Sequence, residues 1–460
     1  MSSFMHSDQI RALFSQSMSA MYRQEVPQYG TLLDLVADIN RATLEQDPEM
    51  RRELQAAGEL ERIDLERHGA IRLGTAEELA TMRRVFRVMG MHPVGYYDLS
   101  VAGVPVHSTA FRPIDDAALR TNPFRVFTSL LRLELIADPA LRAQAAEILA
   151  RRRIFTPRAL ELLQQCEAAG GLDEQQAGEF VQEVTQTFRW HGEATVDHAT
   201  HQQLSAAHRL IADVVSFKGP HINHLTPRTL DIDAAQAEMP RRGVASKDVV
   251  EGPPRRRHPI LLRQTSFKAL EEGIVFAGDG TPGAHTARFG EIEQRGAALT
   301  GAGRELYDRL LAQVRSMANA GSTAGDYETR LAAAFAEFPD DLEAMRAQQL
   351  AFFRYTVKDP AAFAQAADSG TGFGLDALLR QGAIEARPII YEDFLPVSAA
   401  GIFQSNLGGT EQKSYAANAA RELFEAALQA PVADEIALYA QSQQASIAAL
   451  REAYRAQQPA

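Results

Sequence analysis

The chain reads as an α+β protein whose centre is a duplicated βαβββ unit. Three observations predict this. Two stretches, 59–138 and 211–298, each show a strand, a helix and further strands rich in Val, Thr and aromatic residues. Their spacing agrees: His68 precedes Thr109 by 41 residues and His224 precedes Thr265 by 41, an offset of 156. The remaining sequence has the three- and four-residue apolar spacing of helices. Packed side by side, two such units form a strongly curved central sheet around a metal site, with N-terminal, inserted and C-terminal helices.

The elements follow in order. Residues 1–58 are helical: SDQIRALFSQSMSAMYRQ and GTLLDLVADINRATLEQ carry apolar residues three and four apart, with Ser7 and Thr31 as expected N-caps. The first unit, 59–138, begins with the strand LERHGAIRLG. A helix follows, capped by Thr75, with Glu78 completing a capping box and Gly90 ending it. HPVGYYDLS, GVPVHSTAFRP and FRVFTSLLRLELI are the next three strands. Residues 139–210 form a helical insert. The second unit, 211–298, repeats the pattern: HINHLTP, the short helix DIDAAQAEMPRRG, then HPILLRQTSFKAL and HTARFGEIEQRG. RQTSFK at 263–268 sits opposite HSTAFR at 107–112. Residues 299–460 are mostly helical, with a loop at 391–409 that lines the expected pocket.

Bulk composition narrows the function. A formal charge of -12 argues against nucleic acid or an anionic membrane surface as partner, because phosphate binding needs clustered Lys and Arg. The single cysteine, Cys166, excludes a disulfide framework or a thiolate zinc site within one chain and fits a cytoplasmic location. It lies in a helical pattern and reads as a small core residue. No apolar run approaches a membrane span, and the N-terminus lacks a signal-peptide pattern. No obligate protein partner is expected.

The duplication brings equivalent residues together: His68 with His224, and Glu134 with Glu291. Two imidazoles and one carboxylate on one side of a cation make the facial site of non-haem iron oxygenases, with positions left open for substrate and O2. On a strand His221 and His224 point to opposite faces, so at most one is a ligand, and register with His68 selects His224. His221 reads as structural or as a support. Glu291 and Glu293 share a face with Arg295, and periodicity leaves the choice between the two carboxylates open. Glu134 stands as a possible fourth ligand by symmetry, ranked below Glu291. Arg72, four residues after His68, shares its face at about 13 Å of backbone. That distance suits a guanidinium holding a carboxylate away from the metal. His107, His258 and His285 read as structural, with a supporting role at the site left open for His107, which sits inside the first unit. His191, His198, His201 and His208 make no compact ligand set.

The strings ERHGAIRLGT, GYYDLS, PVHSTAFR, FKGPHINHLTPRTLDID, HPILLRQTSFKAL, HTARFGEIEQRGAALT and YEDFLPVSAAGIFQSNLG resemble the 2-oxoadipate dioxygenase/decarboxylase family, the hydroxyglutarate synthases of lysine catabolism. The resemblance runs over nearly the whole chain. It implies a vicinal-oxygen-chelate-like core similar to that of hydroxyphenylpyruvate dioxygenase. It also implies an Fe(2+)-dependent conversion of 2-oxoadipate and O2 to 2-hydroxyglutarate and CO2. Its ligand histidines fall on His68 and His224, and its ligand glutamate, directly after the glycine of RFGEIEQRG, falls on Glu291. Substrate contacts fall on Arg72, which would be catalytic, and on Val397, with Ser398 beside it. Two other activities suit the same core: a non-haem iron oxygenase acting on another 2-oxo acid, and a glyoxalase-type metal-dependent isomerase or lyase that recruits Glu134.

Overall fold

The first strands form a sheet that is covered on both faces. β1 (Arg67–Leu73), β2 (His92–Asp98), β3 (Val106–Arg112), β4 (Arg125–Leu131) and β5 (Leu225–Pro227) form a five-stranded sheet in the order β2-β3-β4-β1-β5 in this computed structural model. It describes residues 4–247, 249–267, 271–278, 280–286, 288–316, 324–368, 372–395 and 414–457. β1 runs parallel to β4, with His68 opposite Arg125 and Arg72 opposite Ser129, and antiparallel to β5. Every residue of β3 and β4 is buried. Ile71, Leu73, Phe111 and Val126 belong to one apolar cluster, and Ala70, Ala110, Phe127 and Leu131 to another, as a two-residue side-chain period requires.

The first cluster is sealed by helices. Phe14, from the helix Ser7–Glu25, meets Phe124 and Phe188 edge-on, while Phe86, from Ala76–Val88, packs on Phe111. Each such fully buried side chain contributes about 1.5–3 kcal/mol of transfer free energy. Thr75 caps the second of these helices as expected, but Glu78 reaches back to the Gly74 N–H. His6, not Ser7, caps the first helix, because its ring accepts from Asp8 N–H. The next helix opens at Pro27, four residues before Thr31; proline at the first helical position has no N–H to leave unsatisfied. The insert supplies the helices Pro139–Arg151, Pro157–Ala169, Glu174–Gln186 and His198–Ala207. Cys166 lies on the second of them, half-buried against the first apolar cluster.

The second half of the sheet region departs from the expected strands. HINHLTP narrows to the three residues of β5, since Asn223 N–H is taken by Ala70 O and Pro227 has no donor to extend the ladder. β6 (Leu262–Ser266) pairs with β9 (Glu291–Arg295). Between them β7 (Glu272–Val275) and β8 (Pro282–His285) make a separate antiparallel hairpin, so HTARFGEIEQRG is not one strand. Arg228, just past β5, forms a parallel bridge to Glu293.

Contacts divide the chain into two units. One comprises Met1–Glu251, Gln264–Gln294 and Asp393–Ala433. The other comprises Gly252–Arg263, Arg295–Glu392 and Asp434–Ala460; it contains the antiparallel pair β10 (Phe353–Val357) and β11 (Ile384–Pro388), against which the helix Glu435–Ala456 packs. No helix among the described residues is long and apolar enough to cross a membrane.

Candidate metal centre

β1 carries His68 into the interior, where its ring is fully buried. The segment 222–224 lies directly against β1 because Gly69 has no side chain: a Cβ there would stand 2.5 Å from Ile222 Cδ1 and 2.9 Å from His224 O. That close approach sets the His68 and His224 rings 5.3 Å apart and nearly perpendicular. β9 adds the acid. Gly290 before it admits Phe267, whose ring a Cβ would overlap at 1.8 Å. Glu291 and Glu293, two residues apart, then face the same way.

Ligand-type atoms of His68, His224 and Glu291 all lie within 4.8 Å of one another, and the three residues are buried. They form the one such group among the described residues. His68 Nε2 is 2.9 Å from Glu291 Oε1, and His224 Nε2 is 3.8 Å from the same oxygen. Thr226 Oγ1 and Gln264 Nε2 donate to that oxygen at 3.1 and 2.9 Å. On the far side of the His68 ring, Nδ1 lies 3.0 Å from Glu293 Oε2. Phe394 meets His68 edge-on at 4.9 Å, and Phe289 lies 4.8 Å from His224.

The electrostatics differ between the two imidazoles. Burial opposes charge on His68, but Glu293 and Glu291 outweigh it and raise its pKa above the ordinary value. Burial pushes His224 well below the ordinary value, helped by the positive charge of His68 and Arg72, so it is a neutral donor. Glu291 Oε2 and both ring nitrogens of His224 are buried with no hydrogen-bond partner. Buried polar atoms are nearly always satisfied, so two nitrogen donors and a carboxylate with spare lone pairs fit a divalent cation.

Other sequence-level candidates fall elsewhere. Glu134 lies outside this cluster: β4 ends at Leu131, the chain turns through a short 3-10 helix at Leu133–Leu135, and the Glu134 side chain is 56% exposed and paired with Arg132. The symmetry argument for a fourth ligand fails there because the strand stops three residues short. Val397 and Ser398 lie outside the described residues. Arg72 is 15% exposed, and its Nη1 donates to Asp213 Oδ2 at 2.7 Å.

Asp213 is a centre that sequence reasoning missed. Its other oxygen lies 2.9 Å from His285 Nε2 and 3.2 Å from His221 Nε2. Burial disfavours its charge, yet His221, His285 and Arg72 together hold its pKa well below the usual carboxylate range. The signal was present in LIADVV: a lone acid in a buried apolar run needs partners.

Known proteins share this sequence and fold. The family model for 2-oxoadipate dioxygenase/decarboxylase matches residues 14–406. The chain belongs to this family. The 2-oxoadipate dioxygenase/decarboxylase of Pseudomonas putida is 61% identical over 98% of both chains. That of Escherichia coli is 60% identical over 95% of this chain and 97% of its own. The hydroxyglutarate synthase of Pseudomonas putida in complex with 2-oxoadipate superposes with a TM-score of 0.92 at 60% identity, covering 98% of this chain and 99% of that one. Membership in a dioxygenase family agrees with a two-histidine, one-glutamate cluster.

Proposed function

We propose that this chain is an Fe(II)-dependent cytoplasmic enzyme that converts 2-oxoadipate and O2 to 2-hydroxyglutarate and CO2. The observation that carries the reading is the buried His68–His224–Glu291 cluster with unsatisfied lone pairs in a member of this family. The stoichiometry balances: one carboxyl carbon leaves as CO2, and the two atoms of O2 end in the new carboxylate and the new hydroxyl.

Bound iron would supply the redox chemistry that joins O2 to the 2-oxo acid. The chain's own residues do the rest. His68 and His224 would give neutral nitrogen donors, and Glu291 would give Oε2 while Thr226 and Gln264 hold Oε1. Glu293, behind the His68 ring, would fix the ring orientation, as outer partners of ligand histidines do. Phe289 and Phe394 keep water from the imidazoles. Arg72 would hold the distal carboxylate, and Val397 and Ser398 would contact the substrate. The single free thiol of Cys166 suits a reducing compartment.

We also read the central region as two βαβββ units on a curved sheet. Support comes from register: with the 156-residue offset Arg228 corresponds to Arg72, and Arg228 lies opposite Glu293 as Arg72 lies opposite Ser129. Glu291 then corresponds to Phe127, so the first unit supplies no acid.

Anaerobic addition of Fe(II) and 2-oxoadipate followed by O2 tests the function. Equimolar O2 uptake and CO2 release, with 2-hydroxyglutarate identified by mass and chiral chromatography, is the expected result. Absence of O2 uptake, or preference for another 2-oxo acid, would overturn it.

A further inference from the structure

We infer that Asp213 is a positioning residue that sets the substrate's chain length by fixing Arg72. The inference rests on the proposal that Arg72 meets the distal carboxylate. Asp213 engages Arg72 through one nitrogen only, Nη1 to Oδ2 at 2.7 Å, and Arg72 has no other hydrogen-bond partner among the described residues. The remaining donors of the guanidinium fork are thus free for a carboxylate, which takes such a fork in paired bonds. Asp213 is itself clamped. Oδ1 accepts from His285 at 2.9 Å, with His221 at 3.2 Å, so the carboxylate plane cannot swing with the arginine. The two imidazoles are held in turn by Trp190, stacked on His285 at 6.1 Å and edge-on to His221 at 4.7 Å.

A free arginine side chain has many rotamers and can follow a carboxylate that moves. Tied to Asp213, it presents its fork at one place, and only a chain of one length reaches both the metal and that fork. Substitution of Asp213 has opposing effects on affinity. It removes a negative charge beside Arg72, which attracts every dicarboxylate more strongly, and it frees the rotamers. The first effect is common to all chain lengths, so a ratio between homologues isolates the second.

The test compares 2-oxoadipate with its five- and seven-carbon homologues, 2-oxoglutarate and 2-oxopimelate, on the iron-loaded enzyme. Anaerobic calorimetry of substrate binding gives a second readout. In the unsubstituted enzyme 2-oxoadipate should be preferred. Asp213→Asn should reduce the kcat/KM preference about tenfold, the worth of one charge-assisted hydrogen bond, and the binding preference alongside it. Should that variant fail to fold, His285→Gln, which loosens the clamp but keeps the acid, should reduce the preference about threefold. A ratio unchanged within about twofold in a folded variant, or no preference in the unsubstituted enzyme, would overturn the inference. Arg72→Ala separates the two levels. It should erase the preference for 2-oxoadipate over 2-oxohexanoate, which lacks the distal carboxylate. If that preference is erased while Asp213→Asn changes nothing, only the Asp213 inference fails; if it survives, the role of Arg72 itself fails.

Discussion

Two buried carboxylates in this protein gather imidazoles, Glu291 and Asp213, and they end in opposite conditions. Both oxygens of Asp213 are taken, one by Arg72 and the other by His285 and His221. Glu291 has three donors crowded on or near Oε1 and none on Oε2, while His224 beside it has two ring nitrogens without a partner. A buried charge must be compensated. At Asp213 the charge is compensated within the chain, by Arg72 and two imidazoles. At Glu291 it is incomplete, and the spare lone pairs of Glu291 Oε2 and His224 suit a divalent cation. The number of unused lone pairs, more than the number of histidines, distinguishes a binding site from a strut.

The widest separation between the two clusters should come from removing one member of each. His224→Ala should lose bound metal and measurable turnover with little change in unfolding midpoint, read by metal analysis, oxygen uptake and denaturant titration. Asp213→Ala should keep its metal and lose about 3–5 kcal/mol of stability, the usual cost of leaving one partner of a buried pair alone. Metal retention in the first variant, or metal loss in the second, would erase the distinction. A smaller effect sharpens it from within the metal cluster. Glu293→Gln keeps size and leaves Glu291 in place, and should weaken metal binding about 10–100-fold, as outer partners of ligand histidines do. Competitive metal titration measures this; affinity equal to the unsubstituted protein would make Glu293 a bystander.

Much of the metal cluster was legible in the chain itself, and the reason is spacing. His68 and His224 sit at equal distances from matching threonines; the strand alternation used to choose His224 over His221 does not apply, because both precede β5, which begins at Leu225. Glu291 could not be separated from Glu293 by periodicity, because both face inward; the structure gives both a role at His68, one on each ring nitrogen. The Asp213 cluster was not legible. Its members come from a helix, a loop and the end of β8, and no short-range period links residues brought together by tertiary packing. His285 reads as structural and His221 as structural or as a support; both touch Asp213, and this common partner was hidden inside LIADVV. Strand ends were the other weak point. LLRLELI has strand-like apolar content, yet the chain leaves the sheet at Leu131 and turns.

That misplaced end yields the smallest expected effect. In the sequence Glu134 looks equivalent to Glu291, because both follow a matching threonine at nearly the same interval, 25 against 26 residues. In the two-unit reading proposed above, Phe127 and not Glu134 is the counterpart of Glu291. Glu134 stands in solvent, paired with Arg132. Glu134→Gln should therefore leave metal content unchanged and kcat within about twofold, as for other surface substitutions remote from packed features. A drop in metal content would mean that the turn at Leu133–Leu135 brings a fourth ligand to the cluster when metal binds, and the asymmetry between the halves would have to be given up.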